Sequence, residues 1–127
     1  TFELDGYLLS PETVRPGEMV VLQLYWRALR RSERDCELVI NWESADGVVW
    51  HSTTHSLTGT AYGTRQWQTN QLLRGNLPLQ VPADAPAGVQ RLHLLVRDRS
   101  DGSLLWVYRG PIWGASRDLA SASVVIE

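Results

Sequence analysis

The 127 residues comprise 43% hydrophobic and 20% charged side chains and carry a net charge of −2, values typical of a globular domain rather than a disordered segment. No apolar run approaches the roughly 20 residues that cross a bilayer, so we expect no membrane insertion by this segment. All 12 basic residues are arginine and the pI is about 5.9, which excludes a catalytic lysine and argues against a nucleic-acid-binding surface.

Segments with strand-like alternation follow one another along the whole chain, and no segment has a helical period. The predicted strands cover residues 2–9, 20–28, 36–42, 48–51, 71–81, 89–97, 104–108 and 122–126. Turn residues such as Pro-Gly and Asp-Gly separate them. We therefore expect one domain, residues 1–127, with an all-β fold: an antiparallel β-sandwich of about eight strands, like immunoglobulin or fibronectin type III domains.

The second predicted strand belongs to the longest uninterrupted strand-like run, and we expect the rest of the chain to be organised around it. Its apolar residues recur at every second position, which places them on one face of a sheet. These residues are Val20, Leu22, Leu24, Trp26 and Ala28. Asp46-Gly47 predicts a hairpin between the third and fourth strands, because Asp-Gly accepts the positive φ of a tight turn. The turn at 98–103 predicts a second hairpin, formed by strands 89–97 and 104–108.

Residues 52–70 break the strand pattern. They are rich in threonine, serine and glycine and have no sustained apolar period, which predicts a long loop. Long loops in compact domains commonly either carry function or cover the core. This loop contains Tyr62 and Trp67, and a second predicted loop, at 109–117, contains Trp113. Because large aromatic rings contact sugars and partner proteins, these three residues are the candidate ligand-binding residues; the alternative is that they cap the sandwich.

The sequence predicts neither a catalytic nor a metal site. His51 and His55 lie four residues apart on an extended segment, which separates them too far to share one ion unless the chain turns between them. The carboxylates of Asp84, Asp98 and Asp101 could be paired for glycoside cleavage, but turns select aspartate for structural reasons. We therefore expect no catalytic residue, no metal ligand and no cofactor in this chain.

A series of short motifs extends over nearly the whole chain. They are Tyr7-x-Leu9, Pro16-Gly17-Glu18, Leu22-x-Leu24-Tyr25-Trp26, Asp46-Gly47, the Gly59 to Trp67 loop, Val81-Pro82-x-Asp84-Ala85-Pro86-x-Gly88, Arg91-Leu92, and Asp98 before Asp101-Gly102. This order resembles the β-sandwich domains found C-terminal to multi-spanning bacterial glycosyltransferases of the protein-mannosyltransferase and aminoarabinose-transferase type. The chain departs from that pattern at Gly63, where the family has a proline, and at Gln90, where it has an aromatic residue.

The resemblance implies an extracytoplasmic accessory domain, cut from a longer membrane-anchored protein that acts on lipid-linked sugars. We therefore expect a non-catalytic interaction domain whose partner is another domain of that parent protein. The alternative is a carbohydrate-binding module that holds a glycan through the aromatic residues of its loops, Tyr62, Trp67 and Trp113. Nucleic acid is not an expected partner.

Overall fold

The computed structural model describes residues 2–60, 62–105, 107–108, 115–116 and 120–127, and these residues form ten strands and one 3-10 turn. In chain order the strands are β1 (Phe2–Ser10), β2 (Thr13–Val14), β3 (Met19–Ala28), β4 (Cys36–Ser44), β5 (Val49–His55), β6 (Leu72–Gln80), β7 (Gly88–Asp98), β8 (Val107–Tyr108), β9 (Ala115–Ser116) and β10 (Ala120–Ile126). The 3-10 turn, Thr64–Gln66, lies between β5 and β6. The prediction of an all-β fold is confirmed.

The strands form two sheets that pack face to face as a β-sandwich. Sheet A has the order β6-β3-β1-β8-β9, and sheet B has the order β2-β10-β7-β4-β5. The long pairings are antiparallel, as predicted. Two short pairings differ, since β8 runs parallel to β1 and β2 runs parallel to β10.

The core lies between the sheets and is built from the alternating apolar positions of the long strands. The predicted inner face of β3 is buried throughout, and Trp26 and Trp42 are each 1% exposed. The inner faces of β4, β6 and β7 contribute Leu38, Ile40, Leu77, Leu79, Leu92, Leu94 and Val96. Burial of this continuous apolar surface is the main term that stabilises the fold.

Two local predictions are corrected by the structure. Strand β5 runs to His55 rather than ending at His51, so the irregular stretch begins later than expected. The second hairpin forms only next to its turn, where Leu104 bridges Arg97 and the N–H of Leu105 donates to the carbonyl oxygen of Val96. Its predicted continuation is wrong, since β8 with Val107 lies in sheet A beside β1. The reason is packing, because Val107 is fully buried there.

Among the described residues, no helix has the length and apolarity needed to cross a bilayer.

Candidate functional site

The connection from β5 to β6, residues 56–71 (the β5–β6 segment), packs into the core. Leu57 is 2% exposed, and Trp67 is fully buried against Phe2 and Trp26, with ring centroids 5.1 and 6.2 Å away. The indole N–H of Trp26 donates a 2.8 Å hydrogen bond to the carbonyl oxygen of Leu57. The segment therefore completes the core beside β3 rather than projecting from the domain.

Two glycines let this segment cross β6 at backbone distance. A Cβ on Gly75 would lie 2.8 Å from the carbonyl oxygen of Leu57, and one on Gly59 would lie 2.5 Å from that of Asn76. Gly59 also has a φ of 73°, a conformation that side chains rarely adopt. Gly75 stays in regular register with β3, and the close crossing explains why it is glycine.

Thr64 fastens the same segment to the start of β4. Its hydroxyl donates to the carbonyl oxygen of Arg34 at 2.8 Å and accepts the backbone N–H of Cys36 at 2.9 Å. Thr64 is 1% exposed, so this hydroxyl satisfies two backbone groups away from water. The β5–β6 segment is thus held by side-chain hydrogen bonds at both of its buried contacts.

The structure describes two of the three candidate ligand-binding residues. The indole of Trp67 is 0% exposed and packs on Phe2, which is the capping arrangement given as the alternative. Tyr62 is half-buried against the core, and its hydroxyl donates to the carbonyl oxygen of Gln66 at 2.9 Å. Trp113 lies outside the described residues.

A cleft of about 490 Å³ lies beside Tyr62, at the end of the sandwich (the end cleft). Its lining includes Asp35, Glu37, His55, Tyr62, Arg65 and Arg99. The guanidinium of Arg99 lies 3.7 Å from both carboxylates, those of Asp35 and Glu37, and Glu37 also accepts bonds of 2.6 and 2.8 Å from Arg97. The cleft therefore presents fixed donors and acceptors, which suit a polar ligand.

Cys36 and His55 both line the end cleft, and a thiol beside an imidazole can form a nucleophilic pair. Burial, however, raises the pKa of the Cys36 thiol to about 11, so the thiolate is scarce at neutral pH. Nε2 of His55 is hydrogen-bonded to Thr53 Oγ1 at 2.8 Å, and burial lowers the pKa of this imidazole. The thiol of Cys36 and the neutral imidazole of His55 are therefore the favoured forms.

The turn carboxylates have structural partners. Asp98 Oδ1 accepts the backbone N–H and the hydroxyl of Ser100 at 2.8 and 2.7 Å. Asp101 Oδ1 accepts the equivalent groups of Ser103 at 2.9 and 2.7 Å. These hydrogen bonds lower the pKa of both aspartates, which is the opposite of what a general acid requires.

The described histidines lie in different surroundings. The ring of His51 stacks on Trp50, whereas His93 Nε2 lies 2.9 Å from Glu43 Oε2 on the outer face of sheet B. Within the ranges that the structure describes, no group of three potential ligands is placed to hold a metal ion.

A second candidate surface, which was not singled out from the sequence, is the outer face of sheet A. It carries large apolar side chains that are between 37% and 66% exposed (the Tyr25 face): Leu8, Met19, Val21, Tyr25 and Leu72. In the cross-strand register these apolar side chains are interleaved with polar ones, since Val21 pairs with Pro78, but Tyr25 pairs with Arg74 and Leu8 with Gln23. The sequence feature that could have revealed this face is the second set of alternating residues in β3, those that point away from the core, where uncharged residues outnumber charged ones.

A shallow hollow of about 230 Å³ indents the Tyr25 face. It is lined by Asp5, Tyr25, Leu72 and Arg74 together with parts of two core residues. The ring of Tyr25 lies over Gly6, where an added Cβ would be 3.9 Å from the ring. Gly6 sits at the bulge in β1, where the register with β3 shifts.

The outer face of sheet B is different in kind. Cross-strand neighbours there form polar pairs: Glu37 with Arg97, Glu43 with His93, and Ser52, which donates a 2.8 Å hydrogen bond to Asn41. Exposed apolar residues on this face, such as Val89 and Val125, lie away from these pairs on β7 and β10. This face is suited to contact with water.

No family model and no curated protein matches the chain. Solved structures with a similar fold include the C-terminal domain of Wzt (TM-score 0.67, 10% identity), with 99% of this chain and 73% of that chain covered. A Niemann-Pick type C2 protein from Japanese carpenter ant has a TM-score of 0.60 at 8% identity, and the match covers 99% of this chain and 92% of that chain. The alkylpurine DNA glycosylase AlkC of Pseudomonas fluorescens, bound to DNA with an abasic site analog, has a TM-score of 0.60 at 13% identity.

The match with AlkC covers 99% of this chain but only 30% of the AlkC chain. At such low identities these matches establish a shared fold and carry no information about activity or ligands.

Proposed function

We propose that this chain is a non-catalytic accessory domain that docks onto another domain of a longer polypeptide through the Tyr25 face. The observation that carries this proposal is the group of large apolar side chains exposed together on the outer face of β1, β3 and β6. A contiguous apolar patch on a folded domain marks an interaction surface more often than scattered exposed residues do.

The composition of the Tyr25 face favours a protein partner. Tyrosine and methionine are enriched in the centres of protein interfaces, and charged residues are depleted there. The face holds Met19, Val21 and Tyr25, and its charged residues lie beside them, with Arg74 opposite Tyr25 and Arg27 3.6 Å from Asp5. Exposed apolar side chains with charges next to them can pack against a partner and pair with its opposite charges.

The sequence resemblance supports a further step: the longer protein is a bacterial membrane glycosyltransferase and this domain lies on the extracytoplasmic side. The resemblance is the support for that step. A fusion of alkaline phosphatase after Glu127 in the natural protein tests the location, because the reporter is active only outside the cytoplasm. Activity is the expected result, and an inactive, stably expressed fusion would contradict the location while leaving the docking proposal open.

Docking is tested by comparing thermal unfolding of the domain alone and within its natural polypeptide. A docked domain unfolds at a higher temperature, because the partner binds only the folded state. The double variant Val21→Ser with Tyr25→Ser should abolish this difference. The control is Val49→Ser, an exposed valine on β5 of the other sheet, which should preserve it. Equal behaviour of the two variants would overturn the proposal.

A second candidate function is carbohydrate recognition in the end cleft. It is favoured by the half-buried Tyr62 ring beside the fixed carboxylates and guanidinium of Asp35, Glu37 and Arg99, since sugars are held by such groups and a flat ring. Amide chemical shifts during glycan titration test it. Recognition predicts saturable chemical-shift changes around Thr60 and Gly63. The Tyr62→Ala variant should lose these changes, and the Tyr25→Ala variant should keep them. Unchanged shifts across neutral and acidic glycans would exclude it for those sugars.

A further inference from the structure

The free edge of β5 is an interaction surface separate from the Tyr25 face. We propose that β5 pairs antiparallel with β5 of a second copy of this chain, so that the two B sheets become one continuous sheet. An unpaired strand edge presents a row of backbone donors and acceptors that another strand can complete. The proposal is independent of the accessory function.

Comparison of the sheet edges singles out β5 among the described strands. Strands β2 and β9 are two residues long and offer little to pair with. Strand β6 is nine residues long, but the β5–β6 segment crosses it at Gly75, and Pro78 removes one backbone donor. Strand β5, with seven residues, pairs with β4 alone among the described parts of the chain.

Strand β5 carries none of the usual devices that protect an edge along most of its length. Its sequence, Val-Trp-His-Ser-Thr-Thr-His, contains no proline, lysine, arginine or carboxylate. The bulge that does occur lies near its start, at Trp50, where the register with Trp42 and Glu43 shifts. Residues 51–55 are regular, and Thr54 and His55 line the end cleft, so open space adjoins this edge.

The regular part of β5 is complementary to itself. An antiparallel pairing centred on Thr53 uses all of residues 51–55 and places Ser52 of each copy opposite Thr54 of the other. Both residues are exposed and lie on the outer face of sheet B, where Thr54 pairs with Val39 and Ser52 with Asn41. Cross-strand pairs of hydroxyl residues are favourable, and the pairing brings no carboxylates or guanidinium groups together. On the inner face the same register sets the imidazole of His51 opposite that of His55 in the other copy.

Sedimentation velocity of the 127-residue chain over a range of concentrations tests the pairing. The unmodified chain should approach twice the monomer mass as concentration rises. The variant Ser52→Lys with Thr54→Lys should dimerise about tenfold more weakly, because lysines then face each other in two places. The variant with both residues changed to glutamate should dimerise as weakly as the lysine variant. An equimolar mixture of the lysine and glutamate variants should restore the dimer, because opposite charges then face each other.

Restoration by mixing excludes misfolding as the cause, since an unfolded chain would not regain pairing. The control is Ser123→Lys with Val125→Lys, two exposed positions with the same spacing on β10, and it should dimerise like the unmodified chain. A chain that stays monomeric at all concentrations, or lysine variants that dimerise unchanged, would overturn the proposal.

Discussion

The β5–β6 segment and the Tyr25 face place their aromatic residues in opposite environments. In the segment, Trp67 is 0% exposed and packs on Phe2, although its neighbours in the sequence are polar. On the face, Tyr25 is 40% exposed, although it lies on β3, whose alternate residues are buried in the core. The polar connection is therefore structural, and the regular strand carries the surface that is available to a partner.

This difference shows why exposure and local composition are separate properties. The segment is buried because it contacts β3 through the Trp26 to Leu57 hydrogen bond and β4 through Thr64. Tyr25 is exposed because alternate side chains of β3 point away from the core, and nothing among the described residues covers that side. The candidate functional surfaces of this fold are therefore the outer face of sheet A and the end cleft, rather than Trp67.

The largest effect is expected at Trp67. Trp67→Ala removes a fully buried indole from the contact with Phe2 and Trp26, so the free energy of unfolding should fall by about 3–5 kcal/mol. Guanidinium denaturation followed by circular dichroism measures this change. Trp67→Phe should lose less, because it keeps an aromatic ring. A loss as small as that of a surface substitution would place Trp67 outside the core.

The next effect is expected at Thr64. Thr64→Val leaves the buried N–H of Cys36 and the carbonyl of Arg34 without their hydroxyl partner, which should cost about 1–3 kcal/mol of stability. Thr64→Ser keeps the hydroxyl and serves as the matched control in the same denaturation assay. If serine and valine destabilise equally, the methyl contact and not the hydroxyl clamp holds the segment.

A smaller effect is expected from pH. Burial lowers the pKa of His55 from its ordinary value of 6.5, so the unfolded chain binds a proton more readily than the folded chain. The contribution of His55 is complete above pH 6.5 and is lost as the pH falls toward the lowered folded pKa. Denaturation midpoints of the unmodified chain and of His55→Gln should therefore converge on acidification. A constant difference between them would contradict this assignment.

The smallest effect on stability is expected on the Tyr25 face. Val21→Ser with Tyr25→Ser removes two exposed side chains, and each change should alter the free energy of unfolding by no more than about 0.5 kcal/mol. Denaturation of the domain alone measures it, with Val49→Ser as the comparison. A loss comparable to that of Trp67→Ala would show that the face is part of the structural core.

The strands and their buried faces could be predicted because alternation is local: the inner face of β3, from Val20 to Ala28, is buried at every predicted position. The role of Trp67 could not, because its burial depends on Phe2 and Trp26, which are distant in sequence. The same limit explains the second hairpin. Its turn near Asp101 forms, but the pattern does not reveal which sheet buries Val107.

Within the end cleft, Tyr62 could be predicted as a surface aromatic, since it lies in a polar segment between two glycines. The neighbouring carboxylates and Arg99 could not, because they come from β4 and from the turn after β7, and the fold brings these together.

Oxidation of Met19 tests the docking surface most directly. Met19 is the single methionine of the chain, lies on the Tyr25 face and is 47% exposed, so peroxide should oxidise it readily in the domain alone. In the natural longer polypeptide the docked face should protect it, and mass spectrometry should record a much slower rate. Oxidation of Met19 at the same rate in both proteins would contradict docking through the Tyr25 face.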